Sequence, residues 1–191
     1  ADYLAVAYTD EGVSLRKQGI QLPIMVLNPV EESFDLLHQY QLEPVVFSPE
    51  FFRKLGIFAQ HQALQLSIHL DLDTGMNRLG FAPQRFRSAW TRLNALPQVD
   101  EISLMTHFSD ADGPKGIAEQ MARFEEATRD LPGERSVSNS AATLRHAQDA
   151  AVKADWIRPG IAVYGSSSDF PEHSAAHWGL QPAMSLNAQI I

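Results

Sequence analysis

Short apolar extended runs alternate with longer amphipathic runs along the whole chain. The extended runs are Tyr3–Ala7, Pro23–Leu27, Pro44–Ser48, Leu66–Asp73, Glu101–Phe108, Ser136–Asn139 and Trp156–Arg158. Each is short and bounded by turn residues, so each predicts a strand. Between them lie helical patterns with start signals. "NPVEESFDLLHQY" predicts a helix capped by Asn28, with Pro29 first and Glu31 at the third position. "SPEFFRKLG" repeats the cap-then-proline opening at Ser48 and predicts a stop at Gly56. "GIAEQMARFEEATRDLPG" sets Ile117, Met121, Phe124, Ala127 and Leu131 on one stripe, the mark of a core-facing helix face. Strands that alternate with helices predict a parallel sheet.

One strand separates the two parallel architectures. In "SIHLDLDTGMNRLGF", Ser67 to Phe81, Ile68, Leu70 and Leu72 alternate with His69, Asp71 and Asp73. A central strand of an open doubly wound sheet is covered on both faces and reads apolar on both. A barrel strand packs one face under helices and turns the other to the lumen, which becomes polar near the carboxyl end. The expected fold is therefore an α/β (β/α)8 TIM-type barrel, incomplete, with its first βα unit missing. Residues 1–166 form the barrel and 167–191 a linker followed by a strand, since "AMSLNAQII" alternates again. Both ends read as interrupted, as if the 191 residues were part of a longer polypeptide.

Composition narrows the chemistry. A net charge of -8 speaks against nucleic acid, whose phosphates call for basic clusters. No run approaches the roughly 18 apolar residues of a membrane span. Without cysteine there is no disulfide, thiolate nucleophile or Cys-zinc site. His173 and His177 stand four apart in a polar, proline-broken segment with no accompanying glutamate, so no metal is expected there. "DTG" at Asp73–Gly75 also occurs in aspartic proteases, but those need two such carboxylates side by side on an all-β frame. A metal-dependent barrel hydrolase built on His69, Asp71, Asp73 and His107 would lack the His-x-His pair usual in such sites.

The remaining polar residues gather at strand ends. A carboxylate inside a barrel needs a partner, because burying a lone charge is prohibitively costly. Arg78, seven residues beyond Asp71 and across a glycine turn, is the expected partner, and its planar fork suits an anion at the barrel mouth. "LMTHFSDAD" ends a strand with His107, and "SVSNSAATL" brings Asn139 and Ser140 to a helix start. "WIRPGIAVYG" ends a strand with Arg158 and follows it with Gly160 and Ile161. Free N–H groups at such a turn late in a barrel commonly cradle phosphate.

Taken in order, "HLDLDTGMNRLGF", "MTHFSDAD", "VSNSAATL" and "RPGIAVYG" resemble the barrel domain of the alanine racemase family. The resemblance covers the chain, and "LQPAMSLNAQII" looks like the start of that family's C-terminal β domain. It implies an isomerase that uses pyridoxal 5'-phosphate to make D-alanine for peptidoglycan, as a cytoplasmic homodimer. A broad-specificity or serine racemase, or a one-domain cofactor-homeostasis protein of the superfamily, is the alternative. The resemblance also assigns roles. Arg78 would contact the cofactor's phenolic oxygen and the substrate carboxylate. Arg158 would bond the pyridine nitrogen, with His107 behind it. Ser140, Gly160 and Ile161 would hold the phosphate, with Asn139 beside them. Many family members carry a carbamylated lysine where this chain has Asp71, which would supply a carboxylate to Arg78 directly.

The family attaches its cofactor to a lysine at the end of the first barrel strand, in a motif like "KANAYGHG". That motif is absent here, and Lys17, Lys54, Lys115 and Lys153 all fall away from strand carboxyl ends. The family's second proton-transfer group, a tyrosine of the β domain, would lie beyond Ile191. The 191-residue chain alone is therefore expected to be inert.

Overall fold

The computed structural model describes residues 1–149, 152, 154–185 and 187. Seven parallel strands form one sheet in chain order: β1 (Leu4–Val6), β2 (Ile24–Val26), β3 (Glu43–Val46), β4 (Leu66–Leu72), β5 (Val99–Thr106), β6 (Arg135–Asn139) and β7 (Trp156–Arg158). Helices α1 (Thr9–Lys17), α2 (Phe34–Gln39), α3 (Pro49–Gln62), α4 (Pro83–Asn94), α5 (Ala118–Thr128), α6 (Ser140–Arg145) and α7 (Gly160–Val163) follow the strands one by one. This is a (β/α) barrel short of closure, because β7 and β1 share no ladder. At the amino ends of these strands the rings of Tyr3 and Trp156 meet edge to face, 5.5 Å apart.

The core has two layers, as the alternation requires. Leu70, Phe86, Leu104, Phe124 and Val137 are fully buried between sheet and helices. Met25, Val45 and Met105 fill the lumen, with Tyr3, Leu27 and Phe47 against them. Register places the polar residues of β4 on the lumen side: Val45 pairs with His69, and Asp71 with Met105. The stripe of α5 is buried throughout, from Ile117 to Leu131.

Two helix boundaries differ from expectation. Asn28 caps no helix; its N–H donates to Ala7 O at 2.9 Å and prolongs the β1–β2 ladder. Glu31 is drawn to Lys54, 2.5 Å away, and a single 3₁₀ turn at Glu31–Ser33 precedes α2. Ser48 does cap α3, accepting from Phe51 N–H at 3.1 Å. Yet α3 runs past Gly56 to Gln62 and ends on Ala63 in the left-handed region. Gly56 lies against Leu96, so the expected stop becomes an interior packing position.

Beyond α7 the chain leaves the barrel as a loop and returns, with Ala183 N–H donating to Tyr164 O at 3.2 Å. Within that loop the Asp169 carboxylate is buried, paired with His173 and 3.4 Å from Arg145. Gln181–Ser185 are exposed and form no strand, so the described part of Gly179–Ile191 does not cover the β1 and β7 edges. The rest of the expected terminal strand lies largely outside the described residues.

Candidate functional site

The three inward polar residues of the β4 segment have three different environments. His69, at the amino end, has Nε2 3.1 Å from both Tyr3 Oη and Glu43 Oε2. Asp73 lies past the strand end, where its Oδ1 accepts from the N–H groups of Gly75 and Asn77, each at 3.0 Å. It is thus a turn-former, the role that a carboxylate two residues before Gly75 suggests. Only Asp71 remains as a buried lumen carboxylate near the carboxyl end. Among the described residues no three His, Asp or Glu groups converge to hold a metal ion.

Asp71 and Arg78 make no direct bond, although the charge of Arg78 acts on the Asp71 carboxyl. Arg78 is exposed at the mouth and has no hydrogen bond or ion pair among the described residues. The turn explains this: Asn77 takes a left-handed φ of 54° and the chain swings outward before Gly80 returns it to β4. Burial pushes the Asp71 carboxyl up to about 6, opposed first by the charge of Arg158 and more weakly by that of Arg78. The carboxylate therefore acts on both arginines through its field, and on Arg158 more strongly.

Arg158 is the fixed element. Its Nη1 donates to Ser136 O and Ser136 Oγ, each at 2.6 Å, and its Nη2 donates to Thr106 O at 2.5 Å. Register explains the reach, because Asn139 pairs with Arg158 and Ser136 sits further down the same strand. Burial pulls the guanidinium down to about 10 while Asp71 pulls it back up, so it stays a cation at neutral pH. His107, just past β5, is pushed down to about 4 by burial and then by the charges of Arg158 and Arg78. It is a neutral imidazole beside a cation.

The anion-ready groups lie at the next two strand ends. Asn139 caps α6, accepting from Ala142 N–H at 3.0 Å and donating to Phe108 O at 2.9 Å. Its amide serves the fold at both ends. Ser140 is the first helical residue, not the cap, and its Oγ accepts from Ala162 N–H at 3.2 Å. That bond leaves the Ser140 hydroxyl hydrogen available to an outside acceptor. Pro159 precedes α7 without a side-chain cap. The first-turn N–H groups of Gly160 and Ile161 have no intrahelical acceptor. A side chain at Gly160 would meet nothing within 4 Å, so that approach is open. Lys17 and Lys54 lie on helices and Lys115 in a loop, while Lys153 is outside the described residues.

Sequence reasoning missed the polar network behind these ends. Thr74, Thr106 and Gln120 are buried and bonded to one another. A glutamine beside a core stripe is the only trace such a network leaves in one sequence.

Residues 1–168 match the family described as alanine racemase, N-terminal domain. An alanine racemase of Verminephrobacter eiseniae is 56% identical over 195 residues, and one of Albidiferax ferrireducens 53% identical over 199. Each comparison takes in all of this chain and 52% of the relative, so the chain spans about half their length. The biosynthetic alanine racemase of Pseudomonas aeruginosa superposes with a TM-score of 0.85 at 35% identity, over 96% of this chain and 51% of that one. An alanine racemase of Clostridium difficile gives 0.84 at 31% identity, over 96% and 49%.

Proposed function

The chain belongs to the alanine racemase N-terminal-domain family, and from that premise we propose that it is the cofactor- and substrate-holding barrel of an enzyme that interconverts L- and D-alanine. The observation that carries this reading is Arg158. A buried guanidinium held by three bonds, beside a neutral His107 and next to an open anion cradle, is a built site rather than a surface feature. As part of the same proposal, residues 1–166 are the barrel unit and 167–191 the connector to the rest of a cytoplasmic homodimer that supplies D-alanine for peptidoglycan.

The residues present fit pyridoxal 5'-phosphate. Ser140 Oγ, Gly160 and Ile161 offer donors to a phosphate on an unobstructed side. Asn139 contributes by holding α6 in place. Once bound, the cofactor supplies an electron sink that lowers the barrier to removing the substrate Cα proton. Arg158 keeps its own proton, so it would offer a ring nitrogen a hydrogen bond without protonating it. Its three internal bonds stop it from turning away. Arg78, exposed and without an ion pair among the described residues, takes the substrate carboxylate as a planar fork. Asp71 sets the field in which both arginines sit.

The test is D-alanine production by the full-length protein, read by a D-amino-acid-specific coupled assay. Racemisation is expected, with Arg78→Ala raising KM for alanine about ten- to a hundredfold, the scale of one charge-assisted contact. Absence of racemisation in full-length protein with saturating cofactor overturns the reading. The 191-residue chain alone should form no D-alanine, since its placed lysines are remote from the strand ends.

A further inference from the structure

Among the described residues Arg78 makes no hydrogen bond or ion pair, so its position is set mainly by the turn that carries it. That turn is fastened from outside the barrel. Thr74 O accepts from Arg123 Nη1 at 2.8 Å, and Thr74 Oγ1 accepts from Gln120 Nε2 at 2.9 Å. Gln120 projects from α5 and is only 7% exposed.

Every bonding position of that amide is filled. Nε2 donates to Thr74 Oγ1 and, at 3.3 Å, to His107 O. Oε1 accepts from Ser109 N–H at 2.9 Å and from Ser109 Oγ at 3.0 Å. The backbone N–H of Ser109 can only donate, which fixes the oxygen toward Ser109 and the nitrogen toward Thr74. Beyond Thr74 the direction is also fixed. Thr106 Oγ1 donates its single hydrogen to Leu72 O at 2.7 Å, so Thr74 must donate to Thr106 across 2.9 Å. The relay runs one way, Gln120 to Thr74 to Thr106 to the end of β4. The backbone carbonyl of Thr106 in turn receives Arg158 Nη2.

We propose that Gln120 is a positioning residue for the site: its buried amide fixes the spacing between the turn that carries Arg78 and the strand end that carries His107. It touches neither substrate nor cofactor. It acts from behind the sheet, on the arginine that makes no hydrogen bond among the described residues. The inference rests on the racemase reading for its kinetic consequence, but not for its structural one.

Two variants of the full-length protein separate positioning from simple support of α5. Gln120→Met keeps length and bulk and removes the bonds. Phe124→Leu weakens the packing of the same helix, where Phe124 is fully buried, and leaves the amide untouched. Gln120→Met is expected to raise KM for alanine about tenfold, with cofactor affinity within about twofold because the phosphate cradle lies elsewhere. In cofactor-free protein, amide exchange across Thr74–Arg78 should quicken about tenfold in Gln120→Met and stay unchanged in Phe124→Leu. Equal kinetics and exchange in Gln120→Met and wild type, or the same changes in Phe124→Leu, overturn the proposal. If Gln120→Met does not fold, Gln120→Glu, which keeps the acceptor toward Ser109, is read in the same way. A wild type that fails to racemise alanine sinks the racemase reading, while the exchange result still decides the role of Gln120.

Discussion

Replacing Asp71 by asparagine should make the 191-residue chain more stable, and only where the aspartate is charged. The Asp71 carboxyl stands at about 6 in the folded chain against an ordinary 3.8, mainly because burial disfavours its charge. Below pH 4 it holds a proton whether the chain is folded or not and makes no pH-dependent difference. Between pH 4 and 6 the unfolded chain loses that proton while the folded chain keeps it, so stability falls as pH rises. About two units at 1.36 kcal/mol each give a penalty of about 3 kcal/mol by pH 8. The attraction of Arg158 is already contained in that net shift. An asparagine amide cannot ionise, so urea denaturation at pH 8 should show Asp71→Asn more stable by about 1–3 kcal/mol, with the gain gone at pH 3.5. The same substitution in full-length protein should lower activity, because the field on Arg158 and Arg78 is lost. A variant less stable than wild type at pH 8, or equally favoured at both pH values, refutes the reasoning.

Gly80→Ala should lose about 1–3 kcal/mol in the same denaturation assay, since Gly80 has φ +106° and its added carbon would lie 2.7 Å from Asp73 N and 3.1 Å from Asp71 Oδ2. A neutral effect would mean that the turn relaxes freely. His107 works opposite to Asp71: its imidazole is depressed to about 4, so its contribution to stability is present above pH 6.5 and is lost as pH falls toward 4. His107→Phe should flatten that acid limb of the stability–pH curve, and an unchanged limb would show that His107 is not its source.

How much of this was legible depended on the distance between partners. The seven strands could be read because each carries its own alternation or apolar run, and α5 because its stripe repeats at helical spacing. The helix-start positions of Ser140, Gly160 and Ile161 were legible because each sits beside its own turn. The fates of His69 and Asp71 were not. Alternation assigns a face, but His69 is claimed by Tyr3, 66 residues away, and Asp71 by a charge on β7. Asp73 is the local case, a turn bond to Gly75 two residues on that a single stretch of sequence can suggest. Asn28 looked like a cap because capping is a local signal, whereas the ladder bond to Ala7 is not. Gln120 was invisible because its value lies in Thr74, His107 and Ser109, none adjacent to it in sequence.

The sheet is laid down in the order in which the chain is made, from β1 through β7, each strand beside its predecessor. A polypeptide emerging from a ribosome can therefore build this barrel by accretion. Every new βα pair finds a waiting edge formed by residues only a few tens of positions earlier, so no loop closure spans the whole chain. Arg158 arrives with the last strand and finds Thr106 and Ser136 already in place. Arg158 is thus delivered to partners that already wait for it, one turn ahead of Gly160 and Ile161.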